Sequence, residues 1–207
     1  GCDAVALDDA GRPVVGEMGE LVIRQAMPSM PLRFWGDADF KRYIGSYFDI
    51  YPGLWRHGDR VIFHQDGSAQ VLGRSDATLN RHGVRIGSAE IYRTLESMPQ
   101  IADSLIVCVE EAGGGFYMPL FVAMAAGELD DALKAEIARR LRTERSPRHV
   151  PDVIVQAPGI PTTLTGKKME VPVRRLLLGE AVEKVASRDA MKNPEVLDWF
   201  AAFAAAR

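Results

Sequence analysis

Between Leu72 and Tyr92 the chain places Gly73, Gly83 and Gly87, with Arg74, Arg81, Arg85 and Asp76, in a segment whose apolar residues Leu79, Val84 and Ile86 stand singly among polar neighbours. A run of this kind cannot be a buried strand or the apolar face of a long helix. It predicts a loop, a short hairpin and a helix start, entered from a strand at 69–72 and left through a helix opening near Ser88. Charged side chains are thereby presented at fixed places between two regular elements, which is how a ligand-handling hinge is built. The remaining chain has a different texture on each side of this segment.

On the N-terminal side, Val5 and Leu7 precede an acidic and glycine turn at 8–11, and Leu21-Val22-Ile23 follows Gly16-Glu17-Met18-Gly19-Glu20. These predict short strands separated by turns. Pro28-Ser29-Met30-Pro31 interrupts any regular element. The rings from Phe34 and Trp35 to Tyr51 are expected to pack a β-rich subdomain. Gly58-Asp59 reads as a turn before a hairpin, Val61-Ile62-Phe63 and Gln70-Val71-Leu72, closed by Asp66-Gly67.

On the C-terminal side helices and strands alternate. Ile91, Leu95 and Met98 share one face of the helix opening at Ser88. Strands at 104–109 and 117–124 flank Gly113-Gly114-Gly115, which marks a hairpin loop. Asp130 is placed to cap a helix carrying Leu133, Ile137 and Leu141, with Arg139, Arg140 and Arg142 in a basic last turn that suits the helix dipole. A strand at 153–155 and a loop from Pro158 to Lys168 lead to closing helices. The last is read as capped by Asn193 with Pro194 at its first position.

The fold class is therefore α+β: a β-rich end of one domain over 1–75, a compact α+β domain over 76–179 pivoting at Asp76, and a helical tail over 180–207. With 207 residues and 47% apolar content there is material for real cores. The 25 basic and 28 acidic residues give a net charge of −3, no electrostatic basis for nucleic acid or an anionic membrane as partner. Cys2 and Cys108 form no Cys-x-x-Cys or Cys/His cluster, which argues against a disulfide framework or zinc site and fits a reducing cytoplasm. No apolar run is long enough to span a bilayer. The chain starts at Gly1-Cys2 without methionine and enters strand-like sequence at once, so a fragment of a longer protein is expected.

A second informative stretch is Pro161-Thr162-Thr163-Leu164-Thr165-Gly166-Lys167-Lys168. It is not a P-loop, which needs glycine where Pro161 stands and Ser or Thr where Lys168 stands. What remains is a lysine on a glycine-flexed turn, whose long stem can bring an ammonium to a ligand or be a plain surface group. Taken alone, Asp59 is a turn residue and Arg74 a surface ion-pair partner of Asp59 or Asp76.

Together these stretches carry a resemblance. Gly73-Arg74-Ser75-Asp76 with Asn80, Gly83, Arg85-Ile86 and Glu90-Ile91, followed in order by the Pro-Thr-x-x-x-Gly-Lys ending at Lys167, resembles the adenylate-forming enzymes, which include acyl-CoA synthetases, luciferases and peptide-synthetase adenylation domains. Within them it is similar to the acetoacetyl-CoA synthetase family, through Pro28-Ser29-Met30-Pro31 with Phe34-Trp35, Arg148-His149-Val150-Pro151, and Asn193-Pro194-Glu195 with Trp199-Phe200.

The resemblance implies a ligase that joins a carboxylic acid to CoA through an acyl-adenylate, using ATP and Mg2+, with the metal held mainly by residues outside this chain. It implies Lys167 as the catalytic lysine of adenylate formation, Asp59 on the ribose hydroxyls, Arg74 on the ribose and phosphate, and Asp76 as the hinge of a mobile domain. Gly83 and Arg85 are implied at the tunnel for the CoA thiol, and Arg142 on the CoA nucleotide. Acetoacetate, ATP and CoA are the expected small-molecule substrates, and a larger N-terminal domain the expected partner. Acetate, propionate or a longer acid, and a non-catalytic module that docks a carrier or regulator, are the alternatives. The phosphate-binding loop and acyl pocket of the family are absent from the sequence, so this chain alone is expected to be inactive.

Overall fold

A computed structural model describes residues 1–81, 84–111 and 114–207. The chain forms two compact units, Gly1–Thr78 and Leu79–Arg207. Gly83 of the hinge motif and Gly113 of the glycine run lie outside the described residues.

The first unit is a five-stranded antiparallel sheet. Its strands are β1 (Ala4–Leu7), β2 (Pro13–Val14), β3 (Met18–Ile23), β4 (Trp55–Phe63) and β5 (Ala69–Arg74), in the order β2-β1-β3-β4-β5. Ala6, Leu7, Val22, Val61 and Leu72 are buried on it. The segment between β3 and β4 departs from expectation, because Lys41–Tyr47 forms a helix, α1. Its N-terminus is fixed by Asp37, a carboxylate 4% exposed that accepts from Arg42 N–H at 3.1 Å and Tyr43 N–H at 2.9 Å. Phe34 meets Tyr43 and Tyr47 meets Trp55 edge to face around it, but Trp35, also expected to pack, is 99% exposed.

β4 is also longer than expected. It runs through Gly58 and Asp59, so Asp59 sits in a strand opposite Arg74 and not in a turn. Gly58 makes this possible with φ +88°, and the pairing takes an irregular step between Arg60 and Val61.

The second unit begins with a small hairpin, β6 (Leu79–Arg81) and β7 (Val84–Ile86), followed by α2 (Ser88–Glu96). Then come β8 (Ile101–Ile106), the short pair β9 (Val109–Glu110) and β10 (Phe116–Tyr117), and β11 (Pro119–Met124). α3 (Asp131–Glu144), β12 (Val153–Gln156), α4 (Glu170–Leu177), α5 (Val182–Val185) and α6 (Pro194–Ala205) complete it. The three-stranded sheet has order β12-β11-β8, with β11 parallel to β12 and antiparallel to β8.

Alternation along the central strands makes two cores. Leu120 and Val122 face one side with Ile106, Ile91, Leu95, Ile137 and Leu141. Phe121 faces the other with Leu105, Val173, Leu176, Leu197 and Phe200. Both faces of β11 are thus covered by helices, as its unbroken apolar sequence requires. The C-terminal helices form the second face. Phe121 and Phe200 meet with ring centroids 4.8 Å apart.

Asp130 caps α3 as expected, accepting from Leu133 N–H at 2.7 Å. Asn193 does not cap α6 with its side chain, although Pro194 does open that helix. Its amide is engaged elsewhere, with Ile160 and Thr162. Cys2 is exposed, Cys108 is buried, and both are free thiols. Among the described residues no helix is long and apolar enough to cross a membrane.

Candidate functional site

Two constellations hold the candidate residues, one in each unit. In the first, the pairing of β4 with β5 sets Asp59 opposite Arg74. Arg74 Nη1 lies 3.6 Å from Asp59 Oδ1, and Arg74 Nε lies 3.4 Å from Asp76 Oδ1. His57 Nδ1 is 2.7 Å from the other oxygen of Asp59. Arg74 therefore gathers Asp59 and Asp76 around one guanidinium.

The guanidinium lies over Gly58, where a Cβ would stand 3.0 Å from Arg74 Nη2. The positive φ favours glycine here, and any larger residue would also displace the Arg74 guanidinium by a few tenths of an ångström. The group borders a recess of about 440 Å³ lined by Gly45, Ser46, Tyr47, Arg56, His57 and Gly58, with Arg74 and Asp76 at its edge. Its size and polar lining suit part of a nucleotide.

Behind the recess, Glu20 is 2% exposed. It accepts from Arg56 Nε at 3.1 Å and from Ser75 Oγ at 2.8 Å, tying β3 and β4 to the residue just before Asp76. Both donors reach Oε1, and Oε2 lies 3.7 Å from the buried Arg60 Nε, so the buried carboxylate is held by paired charge and fixes the end of β5. Sequence reading did not single out Glu20, Arg56 or His57. Glu20 stands in a strand-like run where an acid on the inner face is the available signal, and its partners are remote in sequence.

In the second unit, Arg85 lies exposed on β7 opposite Asn80. The hairpin carrying it is braced by Arg81, which donates to the Val150 carbonyl and pairs with Asp152. Asp152 also accepts from Met118 N–H at 2.8 Å. Arg142 is exposed in the last turn of α3, where its neighbours Arg139 and Arg140 are paired with Glu136 and Glu144.

Lys167 and Lys168, adjacent in sequence, have opposite fates. The loop turns tightly at Gly166, which has φ +80°, with Gly166 N–H donating to the Thr163 carbonyl at 2.8 Å. Lys167 is exposed at this tip, and its ammonium has no hydrogen bond or ion pair among the described residues. Lys168 is turned inward. Its ammonium lies 2.6 Å from both Asp103 Oδ1 and the Ser104 carbonyl, and 4.0 Å from the centroid of the Tyr92 ring. Tyr92 hydrogen-bonds Glu170 and accepts from Ile106 N–H at 3.2 Å. Burial is the leading reason its hydroxyl is held well above the usual phenolic range.

No protein-family model matches the chain. It is 45% identical to acetoacetyl-coenzyme A synthetase of Rhizobium meliloti (strain 1021) over 94% of its own length and 29% of that enzyme. It is 47% identical to acetoacetyl-CoA synthetase of Caenorhabditis elegans over 89% of its length and 26% of that enzyme. Among solved structures, acetoacetyl-CoA synthetase from Streptomyces lividans matches with TM-score 0.93 and 47% identity, covering 100% of this chain and 31% of that one. The chain thus spans less than a third of the relatives it matches, and corresponds to their C-terminal part.

Proposed function

We propose that the chain, a C-terminal part of the adenylate-forming acyl-CoA synthetase superfamily, serves an ATP-dependent ligase that makes acetoacetyl-CoA from acetoacetate, ATP and CoA. The chemistry sets two demands. A carboxylate has no good leaving group, so its oxygen first attacks the α-phosphorus of ATP, breaking the bond to the bridging oxygen of pyrophosphate. The CoA thiolate then attacks the carbonyl carbon of the mixed anhydride, the sulfur–carbon bond forms, and AMP departs.

The observation that carries this reading is the contrast between Lys167 and Lys168. One ammonium is consumed within the fold, and its neighbour stands exposed on a turn with no partner among the described residues. Negative charge builds on the α-phosphate during adenylate formation. A cation placed there is worth about 10²- to 10³-fold in rate if it acts as a single oxyanion donor does. Lys167 is the residue assigned to that role.

Asp59 receives the ribose hydroxyls. A carboxylate has about four lone-pair sites, so its contacts with His57 and Arg74 leave acceptor capacity for a diol. Arg74 contacts the ribose and phosphate, and Asp76 is the pivot between adenylation and thioester formation. Gly83 and Arg85 belong to the passage for the CoA thiol arm, and Arg142 to the CoA nucleotide. Among the described residues no group of three His, Cys, Asp or Glu side chains is placed to hold a metal. Magnesium on the outer phosphates is assigned mainly to residues outside this chain on the resemblance to the acyl-CoA synthetases.

The test is acid-dependent ATP–pyrophosphate exchange and CoA consumption by the full-length enzyme that contains this sequence. Acetoacetate is expected to support both with a higher kcat/KM than acetate, propionate or butyrate. A preference for one of those acids would replace the substrate assignment and keep the ligase. Absence of exchange with every acid would remove the ligase reading.

A further inference from the structure

The loop carrying Lys167 is held by a segment far along the chain, residues 190–193. Thr162 donates its N–H to Asn193 Oδ1 at 3.0 Å, and Asn193 Nδ2 donates to the Ile160 carbonyl at 2.8 Å. The backbone joins in. Lys192 N–H reaches the Thr162 carbonyl at 3.0 Å, Leu164 N–H reaches the Ala190 carbonyl at 3.0 Å, and Thr163 pairs antiparallel with Met191.

Thr163 in turn holds both backbone groups of Lys167. Its N–H donates to the Lys167 carbonyl at 2.9 Å, and its Oγ1 accepts from Lys167 N–H at 3.1 Å. Hydrogen bonds at each end of the Thr162–Thr163 peptide bond therefore connect Asn193 to Lys167. An amide side chain suits the first link because it offers an acceptor and a donor together, as a strand edge does.

The mount itself is anchored in the core. Met191 and Val196, on either side of Asn193, are 5% and 7% exposed in the core shared with α4. Gly159 lets the loop stem approach closely, since a Cβ there would lie 3.3 Å from Val196 Cγ2 and 3.8 Å from Asn193 Nδ2.

We propose that Asn193 is a positioning residue for Lys167. It sets the path of residues 160–163, and through Thr163 the direction in which the Lys167 side chain leaves the loop. The inference rests on the reading of Lys167 as the cation of adenylate formation. It also explains why the amide at the start of α6 is directed to the loop and not to the helix it precedes.

The experiment uses the full-length enzyme with Asn193→Ala and Asn193→Asp, and Lys167→Ala as reference. Two half-reactions are measured: ATP–pyrophosphate exchange with acetoacetate, and thioester formation from supplied acetoacetyl-adenylate and CoA. Small misplacements of a reacting group cost up to about 10²-fold, so Asn193→Ala is expected to lower the kcat of exchange about 10- to 100-fold with KM for ATP within about twofold. Thioester formation is expected to stay near the parent rate, which also reports a folded domain. Asn193→Asp keeps the acceptor for Thr162 but sets a carboxylate oxygen against the Ile160 carbonyl in place of the donor, and should lose at least as much as Asn193→Ala.

Equal losses in both half-reactions would overturn the inference. So would parent-level exchange by Asn193→Ala where Lys167→Ala has lost it, and in both cases the functional reading stands. Exchange retained by Lys167→Ala would remove the functional reading and the inference with it.

Discussion

The recess beside Arg74 and the loop beneath Lys167 handle charge in opposite ways. Arg74 lies within ion-pair range of Asp59 and Asp76, and His57 is 2.7 Å from Asp59, so these groups hold each other in place before any ligand arrives. At the loop, Lys168 is drawn into a nest of Asp103, Ser104 and Tyr92, while Lys167 has no partner among the described residues. A receptor for a polar ligand gains from fixed, mutually paired groups, because their geometry is set in advance. A cation that must engage and disengage gains from having no resident partner to leave, since each break of an ion pair carries its own cost.

Two glycines sharpen this contrast. Gly58 and Gly166 both have positive φ, so alanine at either is strained by about 1–2 kcal/mol. At Gly58 a Cβ also presses on the Arg74 guanidinium, whereas at Gly166 nothing lies within 4 Å. Gly58→Ala is therefore expected to be the more damaging, raising KM for ATP in the exchange assay as Arg74 shifts. Gly166→Ala should lose less stability and leave that KM unchanged, with any loss appearing in turnover. Similar effects of both on KM would break the distinction between a fixed receptor and a free tip.

A smaller effect tests the paired chemistry away from both sites. Glu90 Oε2 lies 3.5 Å from His149 Nε2, and His149 Nδ1 is 2.9 Å from Ser146 Oγ. The hydrogen bond from His149 is the leading cause that holds the Glu90 carboxyl below its ordinary value, with burial opposing it. A depressed carboxylate stabilises the fold at pH above its unfolded value of 4.5, and this contribution is lost as pH falls through the lower folded value. Glu90→Gln should therefore destabilise by up to about 1 kcal/mol near neutrality and by nothing once both forms are protonated. Denaturant midpoints for parent and variant, measured across the acid range, should converge at low pH; a constant gap would contradict the assignment.

Much of the second unit could be read from its sequence because its signals are local. Asp130 caps α3, Ile91 and Leu95 fall on one helical face, and the alternation in β11 divides cleanly between two cores. The departures share a cause, which is a side chain spent on a distant partner. Asp37 sets the start of α1 from outside it, and rings crowded over a short helix give no usable period. Asp59 looked like a turn residue because Gly58-Asp59 is a turn pair locally, yet pairing with β5 keeps it in the strand, with the positive φ of Gly58 and an irregular step after Arg60 taking up the distortion. Asn193 has the composition of a helix cap and serves a loop remote in sequence. The candidate site residues were named through their resemblance to a family; Glu20, which braces the end of β5, carried no signal of that kind, and Asn193 entered the resemblance only as part of the closing helix, with nothing to tie it to the loop.

The account turns on Lys167 acting in the first half-reaction. The direct measurement is Lys167→Ala beside Lys168→Met in the full-length enzyme, with exchange and thioester formation followed separately. Lys167→Ala is expected to lose about 10²- to 10³-fold in acetoacetate-dependent exchange while still converting supplied acetoacetyl-adenylate to the thioester. Lys168→Met should instead lower thermal stability, because it leaves Asp103 and the Ser104 carbonyl without their cation. Exchange undiminished by Lys167→Ala would contradict the account.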